Sequence, residues 1–404
     1  MKMTENKKCV GYKIRLYPTK EQEAMFFKHI NCCRYIWNYM LELQNKTYEV
    51  EKRHIGVFDM MGLLYHLRNE NKWLQEVSST SLRIICRDLD KAFDAFFEKI
   101  CRHPKFKSKH KSKLSFPTRA DRFFISETTI NVEKIGRVKY KTDRNLHMDN
   151  AVKFYNPRII YTNNKWILSI GVEYESQVLQ NPTGRVGIDL GIKNLATISY
   201  FYNDCKGNDC GYYKNINHDN YMKRLERKSI HYQRVMSRKR RVNNCYKVEC
   251  DDGKYRRYDS NNYKKVRQLH QRVEARMANI RLNYIHHITR DIVNLKPEVI
   301  TMEDLKVSNM LKNPKLAPHI SKACWRKFRD IMTYKADKCG IQVQIAPWWF
   351  PSSKICSCCG HKKRKLGLDE RVYRCKKCGL EIDRDLNAAI NLQWFNYNKI
   401  YLNS

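Results

Sequence analysis

The sequence predicts a multidomain chain of mixed class: a β domain interrupted by a block of helices, then an α/β domain with a small cysteine-rich insert. Three observations point there. An alternating strand near the N-terminus gives way to helical periodicity, and strand patterns resume only over residues 114–178. From Gly184 onward, strand and helix patterns alternate. Two Cys-x-x-Cys pairs then lie close to the C-terminus.

The elements follow in order. Val10-Gly11-Tyr12-Lys13-Ile14-Arg15-Leu16 alternates apolar and polar residues, the period of a half-buried strand. Pro18 and Thr19 end it, and Thr19 with Gln22 has the spacing of a capping box that opens a helix. Phe26, Ile30, Cys33, Trp37 and Leu41 share one face of that helix. A second helix is expected from Ser79 to Ile100 on the stripe Leu82, Ile85, Leu89, Phe93, Phe96. Lys105, Lys107, Lys109, Lys111 and Lys113 recur at alternate positions, so an extended segment would turn them to one side, toward phosphate; the alternative is a solvated loop. Strands are expected at Phe123–Ile125, Gly136–Tyr140, Val152–Phe154 and Trp166–Ile170.

In the second half, Arg185–Gly191 and Leu195–Ile198 read as strands, followed by two long basic helices. Arg238, Lys239 and Arg240 are candidate nucleic-acid contacts. The second helix carries the stripe Val266, Leu269, Val273, Met277, Ile280, Tyr284, Ile288, Ile292, which suggests an antiparallel pair. Glu298–Glu303 reads as a strand ending at a carboxylate. A helix from Ile320 to Cys339 is stopped by Gly340, and Gln342–Ile345 is a further strand.

The chain has 404 residues, with 78 Lys+Arg against 41 Asp+Glu, a formal charge of +37. Aromatic residues make up 12%, so this is not a disordered basic tail. A compact body this basic repels itself and calls for a polyanionic partner, nucleic acid first. The first twenty residues offer no apolar signal core, and no stretch of about 18 apolar residues is present. A cytoplasmic protein without a membrane partner is expected, associated with the nucleoid when on DNA.

Cys356 and Cys359 form one Cys-x-x-Cys turn, and Cys375 and Cys378 a second. Each turn sets two thiolates about one tetrahedral edge apart, and four close a structural Zn²⁺ site with no open position. Its task is to fold an insert too small for its own core. Lys362, Lys363 and Arg364 between the pairs make the insert a candidate nucleic-acid contact. Cys358 could compete as a ligand. Cys205, Cys210, Cys245 and Cys250 are spaced loosely for zinc and read as free thiols, a second metal site being the alternative.

Three acids stand out against the basic background: Asp189 between Gly187 and Gly191, Glu303 at a strand end, and Asp385 at the start of the last helix. Singly, each reads as a cap, a turn or an exposed strand end. Together they can converge on one point of an α/β sheet, where hard oxygen ligands suit Mg²⁺. Two such ions stabilise the attacking and leaving oxygens of phosphodiester displacement.

These residues carry a resemblance. Gly187-Ile188-Asp189-Leu190-Gly191-Ile192-Lys193-Asn194 resembles the first RuvC motif of the TnpB (OrfB) family of transposon-encoded nucleases, which is related to the compact type V CRISPR effectors. Glu303-Asp304-Leu305 is similar to the second motif. Pro351-Ser352-Ser353-Lys354, the cysteine ribbon and Asp383-Arg384-Asp385-Leu386-Asn387-Ala388-Ala389 are similar to the third region. The resemblance implies a split β-barrel wedge domain (1–19 and 104–180) around a helical recognition domain (20–103). It implies an RNase H-like RuvC domain (181–349 and 382–404) carrying a zinc ribbon (350–381). It implies an RNA-guided DNA endonuclease with a single site that cuts both strands, a guide RNA, a double-stranded DNA target and a short target-adjacent motif. The catalytic acids would be Asp189, Glu303 and Asp385, with two Mg²⁺ ions; Asp383 would cap, and Arg384 would contact phosphate. One chain per RNA is expected, a dimer being the alternative. A CRISPR effector of the same lineage and a non-cleaving RNA-guided repressor are competing readings. A zinc-ribbon protein with a structural role on RNA leaves the three acids unexplained.

Overall fold

The computed structural model describes residues 7–109, 112–119, 128–141, 153–175, 184–201, 209–242, 247–249, 255–257, 259–305, 307–314, 316–367 and 370–396. The expected strand Phe123–Ile125 and the residues Lys111, Val152, Cys205, Cys245 and Cys250 lie outside these. The chain divides into two compact units, Met1–Glu175 and Ser176–Ser404. Among the described residues, no helix is long and apolar enough to cross a membrane.

The first unit contains β1 (Lys7–Tyr17), α1 (Lys20–Glu51), α2 (Val57–Glu70), α3 (Lys72–Gln75), α4 (Ser79–Phe97), β2 (Ser115–Pro117), β3 (Thr129–Val132), β4 (Gly136–Lys141), β5 (Phe154–Thr162) and β6 (Lys165–Glu175). Its strands form one antiparallel sheet ordered β2-β5-β6-β1-β4-β3. The first strand therefore returns to strands far along the chain, pairing with β6 from Lys7↔Glu175 to Leu16↔Trp166 and with β4 at its end. Among the described residues the six strands form an open half-barrel, its end strands β2 and β3 not pairing with each other. The capping box forms: Thr19 N–H donates to Gln22 Oε1 at 3.1 Å, and Gln22 N–H to Thr19 Oγ1 at 3.2 Å. The expected stripe of α1 is buried and joins Leu82, Ile85, Leu89 and Phe93 of α4 and the inner sheet residues in one core. Polar ties fix helices to sheet, among them Trp166 Nε1–H donating to Glu23 Oε1 at 2.9 Å and Ser81 Oγ–H to the Pro117 carbonyl at 2.6 Å.

The second unit contains β7 (Arg185–Asp189), β8 (Asn194–Phe201), β9 (Asp209–Lys214), α5 (Asn220–Val242), β10 (Lys247–Glu249), β11 (Tyr255–Arg257), α6 (Asn261–Asn294) and β12 (Val299–Glu303). It continues with α7 (Val307–Met310), α8 (Ala317–Ala323), α9 (Trp325–Lys338), β13 (Gln342–Ala346), β14 (Val372–Arg374), β15 (Glu381–Asp383) and α10 (Arg384–Gln393). The main sheet is ordered β13-β12-β7-β8-β9. β7, β12 and β13 run parallel, while β8 and β9 are antiparallel to their neighbours. One face packs on α6 and α9 through Val186, Ile188, Ile300, Met302, Ile288 and Phe328. The other face receives α10.

The single helix expected over Ile320–Cys339 is two. Cys324 stands between α8 and α9 in the left-handed region, at φ 56° and ψ 34°, and the turn it makes seats the buried Trp325, whose Nε1–H donates to the Gly191 carbonyl at 3.3 Å. Gly340, at φ 72°, ends α9 as expected. In α6, Leu269 of the expected stripe is 40% exposed, while Val273 and Met277 are buried with Met222 of α5.

The seat of α10 depends on Gly187. A Cβ built there would lie 2.0 Å from the Ala389 carbonyl oxygen and 2.3 Å from the Gln393 nitrogen, both backbone atoms of α10. No rotamer relieves a backbone clash, so helix and strand would have to separate. Gly187→Ala is expected to cost stability at the upper end of the roughly 1–3 kcal/mol of overpacked sites. Thermal unfolding followed by circular dichroism checks this; a variant as stable as wild type would show that α10 does not sit so close.

Candidate functional site

The face under α10 alternates with the core face, as a pleat requires. Arg185, Gly187 and Asp189 of β7 point to α10: Arg185 Nε–H donates to the Gln393 carbonyl at 3.1 Å, and Gly187 touches the α10 backbone. Ser199, paired with Gly187, donates to Gln393 Oε1 at 2.5 Å. Asp189 thus ends β7 on the α10 side. The parallel register runs from Val299↔Arg185 to Met302↔Ile188, so the next residue, Glu303, ends β12 beside Asp189. Asp385 lies in the first turn of α10. Asp383 is the cap, accepting from Asp385 N–H at 2.9 Å and Leu386 N–H at 3.0 Å, which fixes where Asp385 stands.

Electrostatics report the convergence. The Asp189 carboxyl is held well above the usual carboxylate range, first by burial and then by the charges of Glu303 and Asp385, with Arg384 opposing. Burial likewise raises Glu303, against which the Ser352 hydroxyl donates a hydrogen bond to its Oε1. Asp385 is raised by burial and by Asp383, and lowered by Arg371, Arg384 and Lys193. Register and cap thus set Asp189, Glu303 and Asp385 at one end of the sheet, with Arg384 within electrostatic reach. Arg384 is anchored: its Nη1–H donates to the Gly367 carbonyl at 2.7 Å. Beside Glu303 opens a cavity of about 210 Å³ lined by Leu190, Met302, Leu305, Trp325, Arg326 and Arg329. Ser352 lay within a quoted motif, but nothing in the sequence pointed to its bond with Glu303.

The four cysteines form a separate site. The Sγ atoms of Cys356, Cys359, Cys375 and Cys378 all lie within 4.8 Å of one another, the tightest pairs at 3.6 Å. A tetrahedral zinc with Zn–S bonds of about 2.3 Å places its sulfurs roughly 3.8 Å apart, so the donor set fits. Gly360 and Gly379 follow the second ligand of each pair in the left-handed region, at φ 70° and 72°. Cys358 is exposed and outside the cluster. Among the described residues these thiols are the one set of three or more metal-binding side chains gathered so tightly. Asp189, Glu303 and Asp385 are not gathered as tightly as the four thiols. Asn387 and Asn391 of α10 each donate to the Ile355 carbonyl at 2.7 Å, and Asn387 Oδ1 accepts from Ser357 N–H at 3.0 Å, tying the ribbon to the helix that carries Asp385.

The basic candidates divide. Lys105, Lys109, Lys113, Arg238, Lys362 and Arg364 are exposed, and Lys239 is half-buried. Arg240 lies 5.0 Å from the centroid of the Tyr263 ring. Lys363 is drawn into the ribbon, over Tyr373 at 5.0 Å and paired with Glu370 at 3.5 Å. Lys107 departs from the expected stripe. Its Nζ sits 3.4 Å from the Trp37 ring centroid, and Asn38 clamps its backbone, accepting at 2.7 Å and donating at 2.9 Å. Burial lowers its pKa to about 8.

Comparison with known proteins adds three matches along the chain: a helix-turn-helix domain of the OrfB/IS605 type at residues 7–53, the "Probable transposase" OrfB/IS605 region at 169–314, and the TNB domain of Cas12f1-like proteins at 325–392. Residues 7–53 fold as β1 and the single long helix α1, so the first description does not match the local geometry. A Streptomyces pristinaespiralis protein named as an RNA-guided DNA endonuclease is 30% identical over 388 residues, 95% of this chain and 88% of the relative. The RNA-guided DNA endonuclease InsQ of Escherichia coli K12 is 27% identical, over 96% of this chain and 92% of its own. Among solved structures, the protein of a Cas12f1–sgRNA–target DNA complex shares the fold at a TM-score of 0.52 and 13% identity, covering 96% of this chain and 99% of that one.

Two outcomes are expected. Purified protein should carry one zinc per chain by metal analysis; Cys375→Ser should lose it and Cys358→Ser should keep it, the reverse result reassigning the ligands. Lys107→Met should raise the melting temperature at pH 7. A lysine whose folded pKa is depressed costs the fold most below that pKa of about 8, and the cost fades as pH rises toward its unfolded value. The gain should therefore shrink between pH 8 and about 10.5, and a pH-independent gain would mean that packing alone is at work.

Proposed function

Because this chain belongs to the OrfB (TnpB) family of RNA-guided DNA endonucleases, we propose that it is a Mg²⁺-dependent hydrolase of DNA phosphodiesters whose single site is built from Asp189, Glu303 and Asp385. A guide RNA directs it to a double-stranded DNA target, consistent with a charge of +37. In this reading, residues 181–349 and 382–404 are the RuvC-type nuclease domain. The half-barrel is the wedge, residues 20–103 are the recognition helices, and residues 350–381 are a Zn²⁺ ribbon on target nucleic acid.

The observation that carries the proposal is the meeting of three acids at one end of a sheet, with burial and mutual repulsion raising Asp189. Half-buried carboxylates with so little counter-charge call for a cation. Asp189, Glu303 and Asp385 would hold two Mg²⁺ ions. Bound there, the ions would supply Lewis-acid stabilisation of the attacking and leaving oxygens. The chain's own residues position the rest. Ser352 donates to Glu303 and favours its ionised, fixed form. Asp383 caps α10 and sets Asp385. Arg384 binds the Gly367 carbonyl, so it steadies the ribbon and lends its charge to the site through space. All three acids are present, which weighs against a non-cleaving repressor.

The test uses protein purified with its co-purifying RNA, which is sequenced to define the guide. Asp189→Ala should lower single-turnover cleavage of the matched target by on the order of a thousandfold, about 4 kcal/mol of activation free energy, while target binding persists. Cleavage that survives this substitution would remove Asp189 from the site.

A further inference from the structure

Tyr212 stands in the row of the acids. β9 lies at the end of the sheet, and its register pairs Tyr212 with Thr197, which pairs in turn with Asp189. Directly paired residues of adjacent strands share a face, and strands lie about 4.8 Å apart, so Tyr212 is roughly 10 Å from Asp189 across two strands. Glu303 flanks Asp189 on the other side. The neighbours confirm the facing. A Cβ on Gly211 would meet Ile198, and Tyr213 packs into the α6/α9 core, so Tyr212 points the other way, to the side of α10 and the acids.

Its environment is unlike that of a structural tyrosine. Tyr212 is 45% exposed. Among the described residues its ring stacks on no other and its hydroxyl has no hydrogen-bond partner. Burial together with the charges of Asp383, Cys210 and Asp385 raises its pKa, which places the phenol within electrostatic reach of the site and keeps it a neutral donor.

Resting on the site assigned above, we propose that Tyr212 stacks on a base of the DNA strand being cut, one or two nucleotides from the phosphodiester held at Asp189, Glu303 and Asp385. Stacking suits this position on two physical grounds. Every base offers a π-face, so the contact tolerates any sequence, as a guide-directed cutter requires. A lysine or arginine here would pair with the acids and compete with a metal, whereas an aromatic ring positions the strand at the site without adding charge, the overall affinity coming from pairing with the guide.

The experiment compares RNA-loaded wild type, Tyr212→Phe, Tyr212→Ala and Tyr212→Thr, the last suited to a strand. Targets carry 2-aminopurine at single positions flanking the mapped cut, and fluorescence is read with Mg²⁺ omitted, before cleavage is started by adding it. Wild type and Tyr212→Phe should quench 2-aminopurine at one position within two nucleotides of the cut. Tyr212→Ala and Tyr212→Thr should relieve the quench and slow single-turnover cleavage about tenfold, the range expected for one lost base–aromatic stack, with target affinity unchanged. Equal quenching and equal rates in all four proteins would overturn the proposal. So would a Tyr212→Phe protein as impaired as Tyr212→Ala, which would assign the effect to the hydroxyl. An Asp189→Ala protein run alongside separates the two ideas: if it still cuts, the site assignment fails, while the quench still reports on the stack.

Discussion

The structure of the second unit turns on a backbone-to-backbone contact at Gly187. A helix can lie this close to the middle strand of a sheet only where the strand has no Cβ, since the Ala389 carbonyl and the Gln393 nitrogen fill that volume. The contact is steric and sets distance. Hydrogen bonds then set rotation: Arg185 to the Gln393 carbonyl and Ser199 to the Gln393 side chain pin the last turn of α10, each worth about 1 kcal/mol net. With its far end pinned and its near end capped by Asp383, α10 has one place for Asp385. Two acids far apart in sequence thereby share a site because a glycine and a helix cap put them there.

Electrostatics works against that arrangement. Burial and like charge raise Asp189, and the cations within reach, Arg384, Arg371 and Lys193, offset this only in part. Arg384 is committed to backbone carbonyls of the ribbon rather than to a carboxylate. The chain carries a large excess of positive charge, yet the acids form no ion pair with a lysine or arginine among the described residues. A site kept clear in this way is open to an exchangeable cation and to phosphate, and side-chain ammonium groups there would block both. The nearest ion pair, Arg329 with Asp304 at 2.7 Å, takes the carboxylate next to Glu303 and leaves Glu303 to Ser352.

What the sequence disclosed follows the range of the interactions. The capping box, the α1 stripe and the four thiolates were legible because each is a rule about residues a few positions apart. The three acids were legible through motif resemblance; their meeting depends on sheet register and on Gly187. The return of β1 to β6 was open in the sequence, since pairing between residues 7 and 175 leaves no local mark. The break at Cys324 went unseen because neither glycine nor proline announces it. The alternating lysines misled at Lys107, where Trp37 and Asn38, both on α1, draw one residue of the stripe inward. Tyr212 sits in a stretch without a recognised motif, and only the strand register reveals its place in the row of Asp189, two strands away.

The ribbon bears on this site although a closed four-thiolate centre has no chemistry of its own. The insert leaves the unit after β13 and rejoins it at α10, and both junctions touch the acids. On the way out, Ser352 holds Glu303, and its carbonyl accepts from Asn391 at 2.7 Å. Within the insert, Gly367 holds Arg384. On the return, Asp383 ends β15 and caps α10 in one residue. An insert with a core of only a few residues, Tyr373 and the cysteines at its centre, would take its order from a metal bound by the four thiolates. Order in the ribbon is then what keeps Ser352 on Glu303 and Asp383 on the end of α10. A zinc ion held by the four thiolates would act at a distance, by keeping Ser352 and Asp383 still, and the geometry of the acids would then depend on an element that contributes none of them.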